Sequence, residues 1–188
     1  MPHYMNTTDP DFTSGFDAWL SMKREADQDV DHLVAGILDD VQTRGDMAVL
    51  ELTSKFDRHD LTPETMAFSA AEIDAAIATV PDDERVALEL AAKRIRDYHE
   101  RQIPEDAWWT GEHGEGLGWR WSAVEAAGLY VPGGIASYPS SVLMNAIPAS
   151  VAGVENLCIC SPTPDGAFNP LVLLAARLSG VETIYRIG

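Results

Sequence analysis

The sequence has few residues that could build a metal site or a disulfide scaffold. Of its 188 residues only two are cysteine and five are histidine, and the histidines are scattered without ligand spacing. Because a zinc site needs three or four converging donors, we predict surface histidines and no metal ligand within this chain. Cys158 and Cys160 share one apolar run, which favours a buried strand over a thiolate site.

Long apolar runs are also missing. No run approaches the roughly 20 residues that cross a bilayer, and the N-terminus lacks the basic and then apolar order of a secretory signal. We therefore expect a cytoplasmic protein with no membrane partner. Hydrophobic residues still make up 46% of the chain, which is enough to build a core.

Basic residues are scarce. Thirteen Lys and Arg stand against 30 Asp and Glu, and the formal net charge of −17 would repel a polyanion, so we expect no nucleic-acid partner. The charge is uneven, because residues 1–116 hold 26 of the acids and 10 of the bases. This shift, near the glycine-rich residues 111–118, predicts a domain boundary between residues 116 and 117.

The first 116 residues are predicted to be mainly helical, since apolar residues recur at helical spacing between capping and breaking residues. A capping-box pattern runs from Ser69 to Glu72. The four predicted helices begin near Val30, Asp46, Ala70 and Asp82, and together they form the helical part, residues 29–116. Residues 1–28 are predicted to form an N-terminal arm, which either packs on another surface or folds back on its own chain.

Residues 117–188 show a different period, which predicts strands alternating with helices. Residues 117–121 and 124–132 are predicted as two strands joined by a short turn. A helix over residues 138–152 should follow, opened by Pro139, capped by Ser140 and Ser141 and kinked at Pro148. Beyond it we expect a strand at residues 157–161, a helix at 171–178 that begins after Asn169 and ends at Gly180, and a strand at 183–187.

The predicted fold class is therefore α/β, with an N-terminal acidic helical region followed by an incomplete Rossmann-like parallel βαβαβ unit. In such sheets the ligand lies beyond the carboxyl ends of the strands. The sequence stops directly after the last predicted strand, so we expect a truncated nucleotide-binding domain at residues 117–188 that belongs to a longer enzyme.

The usual nucleotide and hydrolase signatures are absent, including Gly-x-Gly-x-x-Gly, the phosphate-loop lysine pattern and Gly-x-Ser-x-Gly. The most specific local feature is Gly-Leu-Tyr-Val-Pro-Gly-Gly at residues 128–134. A strand that ends in Pro-Gly-Gly can present backbone N–H groups to an anionic ligand, and Tyr130 adds a flat ring and a hydroxyl. A simple turn has the same signature, so these residues alone leave both readings open.

Several segments together resemble the histidinol dehydrogenase family. They are the motif at residues 128–134, Pro-Ser-Ser-Val-Leu-Met at 139–144, Cys-Ser-Pro-Thr-Pro at 160–164, the upstream stretch at 41–50 and Phe-Ser-Ala-Ala-Glu-Ile at 68–73. The resemblance keeps the family's order and spacing from about residue 29 to the end of the sequence.

The resemblance implies an NAD-dependent, zinc-requiring enzyme that oxidises L-histidinol to L-histidine in two hydride transfers, by way of an aldehyde. It also implies a homodimer whose active sites use residues of both subunits. In the family the tyrosine of the Gly-Leu-Tyr-x-Pro-Gly-Gly motif belongs to the NAD site, so Tyr130 is the cofactor-binding residue that we carry over. The family's catalytic Glu-His pair and its zinc ligands match no position here and are expected beyond Gly188. We therefore assign no catalytic residue and expect this chain alone to be inactive.

Two other functions stay open at this point. The enzyme could act on another small polar alcohol, as relatives of the family do. Alternatively, the chain could be a non-catalytic assembly module that docks to another subunit through the edge of its truncated sheet.

Overall fold

The computed structural model describes residues 4–133 and 138–188, and it leaves out the side chains of residues 21–29. The chain divides into two compact units, Met1–Val49 and Leu50–Gly188, which are described separately. Gly134, the last residue of the glycine-rich motif, lies outside the described residues.

The first unit consists mainly of α1, Phe12–Arg44, which ends at Gly45 with a φ of 61°. The rings of Phe12, Phe16 and Trp19 stack along it, with centroids 5.6 and 5.9 Å apart. The helix runs without interruption through the residues predicted as an arm and those predicted as the first helix. The division into 1–28, 29–116 and 117–188 stays a prediction.

Three more helices follow at the predicted places. They are α2, Asp46–Asp57, α3, Ala70–Ile77, and α4, Asp82–His99. The predicted capping box is confirmed, because the Ser69 backbone N–H donates to Glu72 Oε2 at 2.8 Å and the Glu72 backbone N–H donates to Ser69 Oγ. Three acidic residues in the first turn of α4 suit the positive end of its dipole.

A hairpin that the sequence analysis missed lies between α4 and the parallel sheet. It pairs β1, Ala107–Thr110, with β2, Gly116–Trp119, in antiparallel orientation. The strands predicted at residues 117–121 and 124–132 are both present, at Gly116–Trp119 and Ala126–Tyr130, but they lie in different sheets, because the first pairs with β1. β1 was missed because Trp108 and Trp109 are adjacent and both exposed, so no alternation of buried and polar positions marks the strand.

The predicted parallel βαβαβ unit is confirmed. Its strands lie in the order β3-β4-β5 and all run parallel. The unit consists of β3, Ala126–Tyr130, α5, Pro139–Val151, β4, Asn156–Cys160, α6, Pro170–Ser179, and β5, Thr183–Tyr185. Because such crossovers are right-handed and the strand order never reverses, both helices lie on the same face of the sheet. The α/β fold class is thus as predicted.

The core of the second unit lies between this face and the helices. Leu129, Ile159 and Ile184 are in register across the three strands, and Ile159 and Ile184 are fully buried. α5 and α6 pack on each other, and α3 and α4 contact them in turn. The opposite row of Tyr130, Cys160 and Tyr185 is exposed or half-buried, so the described residues cover this face of the sheet less completely.

The helix ends of this unit differ in part from the prediction. The N-cap position of α5 is Tyr138, without a side-chain cap bond, so the prediction that Ser140 and Ser141 cap the helix was wrong. The prediction that Pro139 opens the helix is confirmed, and its fixed φ suits the first turn. At α6 the prediction is confirmed, because Asn169 Oδ1 accepts the Leu171 N–H at 2.8 Å. Gly180, as expected, ends α6 in the left-handed conformation.

Within the described part of the chain, every helix is too short or too polar to span a lipid bilayer.

Candidate functional site

A cleft of about 400 Å³ lies at the carboxyl ends of the parallel strands. Its walls come from the loop after β3, which contributes Pro132 and Gly133, and from the loop after β4, residues 161–169. Its apolar floor includes Phe68, Leu173 and Ile184. This is the place where open α/β sheets bind ligands, and it lies wholly within the second unit.

The two loops that form the walls touch each other at Gly133. A Cβ atom at this position would lie 2.9 Å from Pro162 Cγ and closer still to the Pro162 carbonyl oxygen. The backbone of the loop is also aligned with the sheet, because the Val131 N–H donates to the Cys160 carbonyl at 2.9 Å. The first glycine of the Pro-Gly-Gly sequence is therefore required by close packing between the two walls, and a left-handed turn is not the reason for it.

The loop after β4 is tied to the turn that follows α2. The Arg58 guanidinium donates through Nε to Asp165 Oδ1 at 2.7 Å and through Nη2 to Asp165 Oδ2 at 2.5 Å. His59 Nδ1 lies 2.8 Å from the hydroxyl of Thr163, a residue that is 1% exposed. The hydrogen bond from Arg58 lowers the pKa of Asp165, and the same bond raises the pKa of Arg58. The ion pair therefore stabilises the charged forms of both Arg58 and Asp165.

Arg186 holds the floor of the cleft in place. Its guanidinium lies 3.7 Å from the ring centroid of Phe68 and donates to the carbonyls of Thr65 and Ala67 at 2.6 and 2.8 Å. It also donates to Glu72 Oε1 at 2.5 Å. The pKa of Glu72 is lowered, first by the hydrogen bonds from Ser69 and then by Arg186. A buried arginine with this many partners fixes the segment that carries Phe68.

Tyr130, the residue carried over as cofactor-binding, lies at the carboxyl end of β3 with 59% of its surface exposed. It is two residues from Pro132, but it does not itself line the cleft. Its neighbours in register are Cys160 and Tyr185, on the less covered face of the sheet. Tyr130 thus lies at the carboxyl end of β3 but outside the cleft lining, and its role in binding stays a prediction.

The potential metal ligands of the described residues do not converge on one site. Residues 4–133 and 138–188 contain no group of three or more His, Cys, Asp or Glu side chains placed to hold a metal ion. His59 and His99 instead lie within hydrogen-bonding distance of Thr163 and Gln102. Burial raises the pKa of the Cys160 thiol, with the nearby Cys158 adding to the effect. None of these residues is assigned to zinc.

The cleft-forming contacts that the sequence analysis missed are long-range. Arg58 and Asp165 are 107 positions apart, and Arg186 and Glu72 are 114 apart. No local spacing pattern relates such residues. The one available signal was that residues 160–164 belong to a segment matching the family, which marked the loop but not its partners.

These features define an α/β protein in which a helical region precedes a three-stranded parallel sheet with a cleft at its carboxyl edge. Comparison with known proteins identifies the family more closely. The family model for histidinol dehydrogenase matches residues 20–188. The chain belongs to the histidinol dehydrogenase family.

The relatives agree with this assignment. Histidinol dehydrogenases of Cereibacter sphaeroides and Ruegeria pomeroyi are each 64% identical to the chain over all 188 residues, which correspond to 43% of their own length. The crystal structure of histidinol dehydrogenase from Elizabethkingia anophelis matches with a TM-score of 0.80 and 34% identity, covering 85% of this chain and 36% of that one. The chain thus spans less than half the length of the curated relatives that it matches.

Proposed function

We propose that this chain is the N-terminal part of a histidinol dehydrogenase, an oxidoreductase of histidine biosynthesis. The complete enzyme would oxidise L-histidinol to L-histidine in two hydride transfers to NAD, by way of an aldehyde. The observation that supports this most strongly is the identity of 64% to histidinol dehydrogenases over every residue of the chain. We further propose a cytoplasmic homodimer, on the basis of the family resemblance.

The part that this chain plays is to bind and orient the nucleotide. Its cleft of about 400 Å³ falls within the roughly 300–1,000 Å³ typical of small-molecule sites. The apolar floor suits a flat ring, and the wall loops offer backbone groups to a polar ligand at the edge where α/β sheets bind nucleotides. NAD is the hydride acceptor when bound. Tyr130, two residues before Pro132 of the wall loop, would contact the cofactor beyond the cleft, and this role rests on the family resemblance.

Zinc does not fit the described residues, because they hold no set of donors for it. We propose that the zinc ligands, like the catalytic Glu-His pair, lie in the part of the relatives that extends past this chain. In that case the contribution of residues 1–188 is positional. They would exclude water from one side of the nucleotide and fix where its reactive ring is presented.

The test is an assay of the complete polypeptide, of the length that its relatives have. The purified protein is offered NAD with L-histidinol, and in parallel with sulfonated and polyol alcohols, while NADH formation and the product are followed. The proposal expects turnover of histidinol, with two NADH formed for each histidine. Turnover of another alcohol with none of histidinol would move the enzyme to a different substrate, and no NAD reduction with any alcohol would favour the assembly module.

A further inference from the structure

We propose that Arg58 and His59 are positioning residues that hold the loop of residues 161–169 in the conformation that forms the cleft wall. The ion pair of Arg58 with Asp165 and the hydrogen bond of His59 with Thr163 are together called the clamp. The clamp itself follows from the contacts of this structure. Its effect on nucleotide binding rests on the proposed function.

The clamp joins two segments that are remote in the sequence. Arg58 and His59 are consecutive, and their partners Asp165 and Thr163 are two positions apart. The turn after α2 therefore contacts the loop at two neighbouring positions. The ion pair is bidentate, with both guanidinium N–H groups aligned on the two carboxylate oxygens, a geometry that restricts orientation as well as distance. The ring of His59 also lies next to Gly166 in the same loop.

Backbone contacts hold the start of the loop, because the Ser161 N–H donates to the Tyr185 carbonyl at 3.0 Å and Pro162 packs closely against Gly133. Two hydrogen bonds, from the Gly166 N–H to Thr163 and from the Ala167 N–H to Pro164, lie within the loop and do not attach it to another element. At the far end, Phe168 packs edge-on against Phe68 with centroids 5.0 Å apart. The stretch between these two ends, which contributes Thr163 and Asp165 to the cleft, is attached to the turn after α2 by the side chains of the clamp.

The backbone supports a specific role for these side chains. Arg58 and Asp165 are the two non-glycine residues with positive φ among residues 4–133 and 138–188, at 54° and 56°. Glycine adopts this conformation without strain, whereas arginine does so unfavourably. A turn that needed only the backbone conformation would be better served by glycine at position 58. The Arg58 guanidinium attaches the turn to the loop through Asp165, and a glycine at position 58 has no side chain with which to do so.

The clamp is tested first by hydrogen exchange on the 188-residue chain, followed by mass spectrometry of the loop peptides. Asp165→Asn removes the charge and still tolerates positive φ. Arg58→Gly removes the pair while relieving the strained backbone. Asp74→Asn is the matched control, because Asp74 forms a similarly exposed ion pair with Arg177 that does not line the cleft.

We expect the amides of Gly166 and Ala167 to exchange about threefold faster in the two clamp variants, in line with the loss of an exposed ion pair, and at the wild-type rate in the control. Unchanged exchange in both clamp variants would overturn the proposal, as would an equal acceleration in Asp74→Asn.

The second arm measures KM for NAD and kcat in the complete enzyme. Asp165→Asn should raise KM for NAD about threefold, with a smaller effect on kcat, while Asp74→Asn leaves both unchanged. Faster exchange with an unchanged KM would refute the link between clamp and ligand. If the wild-type enzyme does not use NAD at all, the proposed function fails, and the exchange experiment still decides whether the clamp holds the loop.

Discussion

Replacing Gly133 by alanine should damage the cleft far more than the same change at Gly128, in the same glycine-rich motif. The added Cβ would lie 2.9 Å from Pro162 Cγ and inside the contact distance of the Pro162 carbonyl oxygen. Real Cβ atoms essentially never approach this closely, so one wall loop must move by roughly 1 Å. Overpacking of this kind typically costs about 1–3 kcal/mol.

The matched control is Gly128→Ala in the same motif. There the new Cβ would lie 3.7 Å from Cys158 Sγ, which is ordinary van der Waals contact. Neither glycine has a φ in the left-handed region, so the two variants differ in the space available and not in backbone strain. Alanine at position 128 should be neutral, or stabilise slightly by restricting the unfolded chain.

The assay is thermal unfolding of the 188-residue chain, followed by far-ultraviolet circular dichroism. For a chain of this size about 1 kcal/mol corresponds to a shift in Tm of roughly 2–4 °C. We therefore expect Gly133→Ala to melt about 2–12 °C below the wild type and Gly128→Ala to melt at or slightly above it. Equal melting temperatures for the two variants would show that the wall loops are not packed as described.

Three further predictions concern the nucleotide, the catalytic groups and acid stability. Tyr130→Ala in the complete enzyme should weaken NAD binding, measured by titration, by on the order of 1 kcal/mol if the ring stacks on the cofactor. Tyr130→Phe keeps the ring and should retain most of the affinity. If Tyr130→Ala binds NAD as tightly as Tyr130→Phe, the carried-over role is contradicted. The 188-residue chain alone, with zinc added, should reduce no NAD in the presence of histidinol, and measurable turnover would place the catalytic groups within this chain. Glu72→Gln should lower stability by about 1 kcal/mol at neutral pH, because Arg186 loses a charged acceptor. Since the folded-state pKa of Glu72 lies below its ordinary value of 4.5, its contribution is complete above that pH and is lost as the pH falls through the lowered value. Denaturant titrations should therefore show the gap between variant and wild type closing at acidic pH, and a gap that is constant with pH would refute this account.

Local chemistry decided how much of the fold could be predicted. The capping box at Ser69, the asparagine cap of α6 and the stop at Gly180 were foreseen because each depends on residues within four positions of one another. The parallel strands were foreseen because their apolar runs are short and bounded by turn residues. The strand β1 was not, since Trp108 and Trp109 lie side by side and show no alternation of buried and polar positions.

The candidate site was only partly predictable. The Pro-Gly-Gly sequence located one wall of the cleft, and the sheet rule located its edge. The residues that shape the other wall, Arg58 and Asp165, pair across the whole fold, and a side chain at positive φ has no signature in a single sequence. Tertiary packing alone brings them together. The same is true of Arg186, whose carbonyl partners carry no information in their residue types.

The placement of the tryptophans determines what an optical probe of this molecule can report. All five are more than one-third solvent-exposed, Trp19 on α1 and the other four, Trp108, Trp109, Trp119 and Trp121, on or just after the hairpin. None of them belongs to the buried cluster around Ile159 and Ile184. Intrinsic fluorescence will therefore be red-shifted in the native chain and nearly insensitive to melting of the parallel sheet. A shift of the emission to the blue would instead signal that another surface has covered the hairpin or α1.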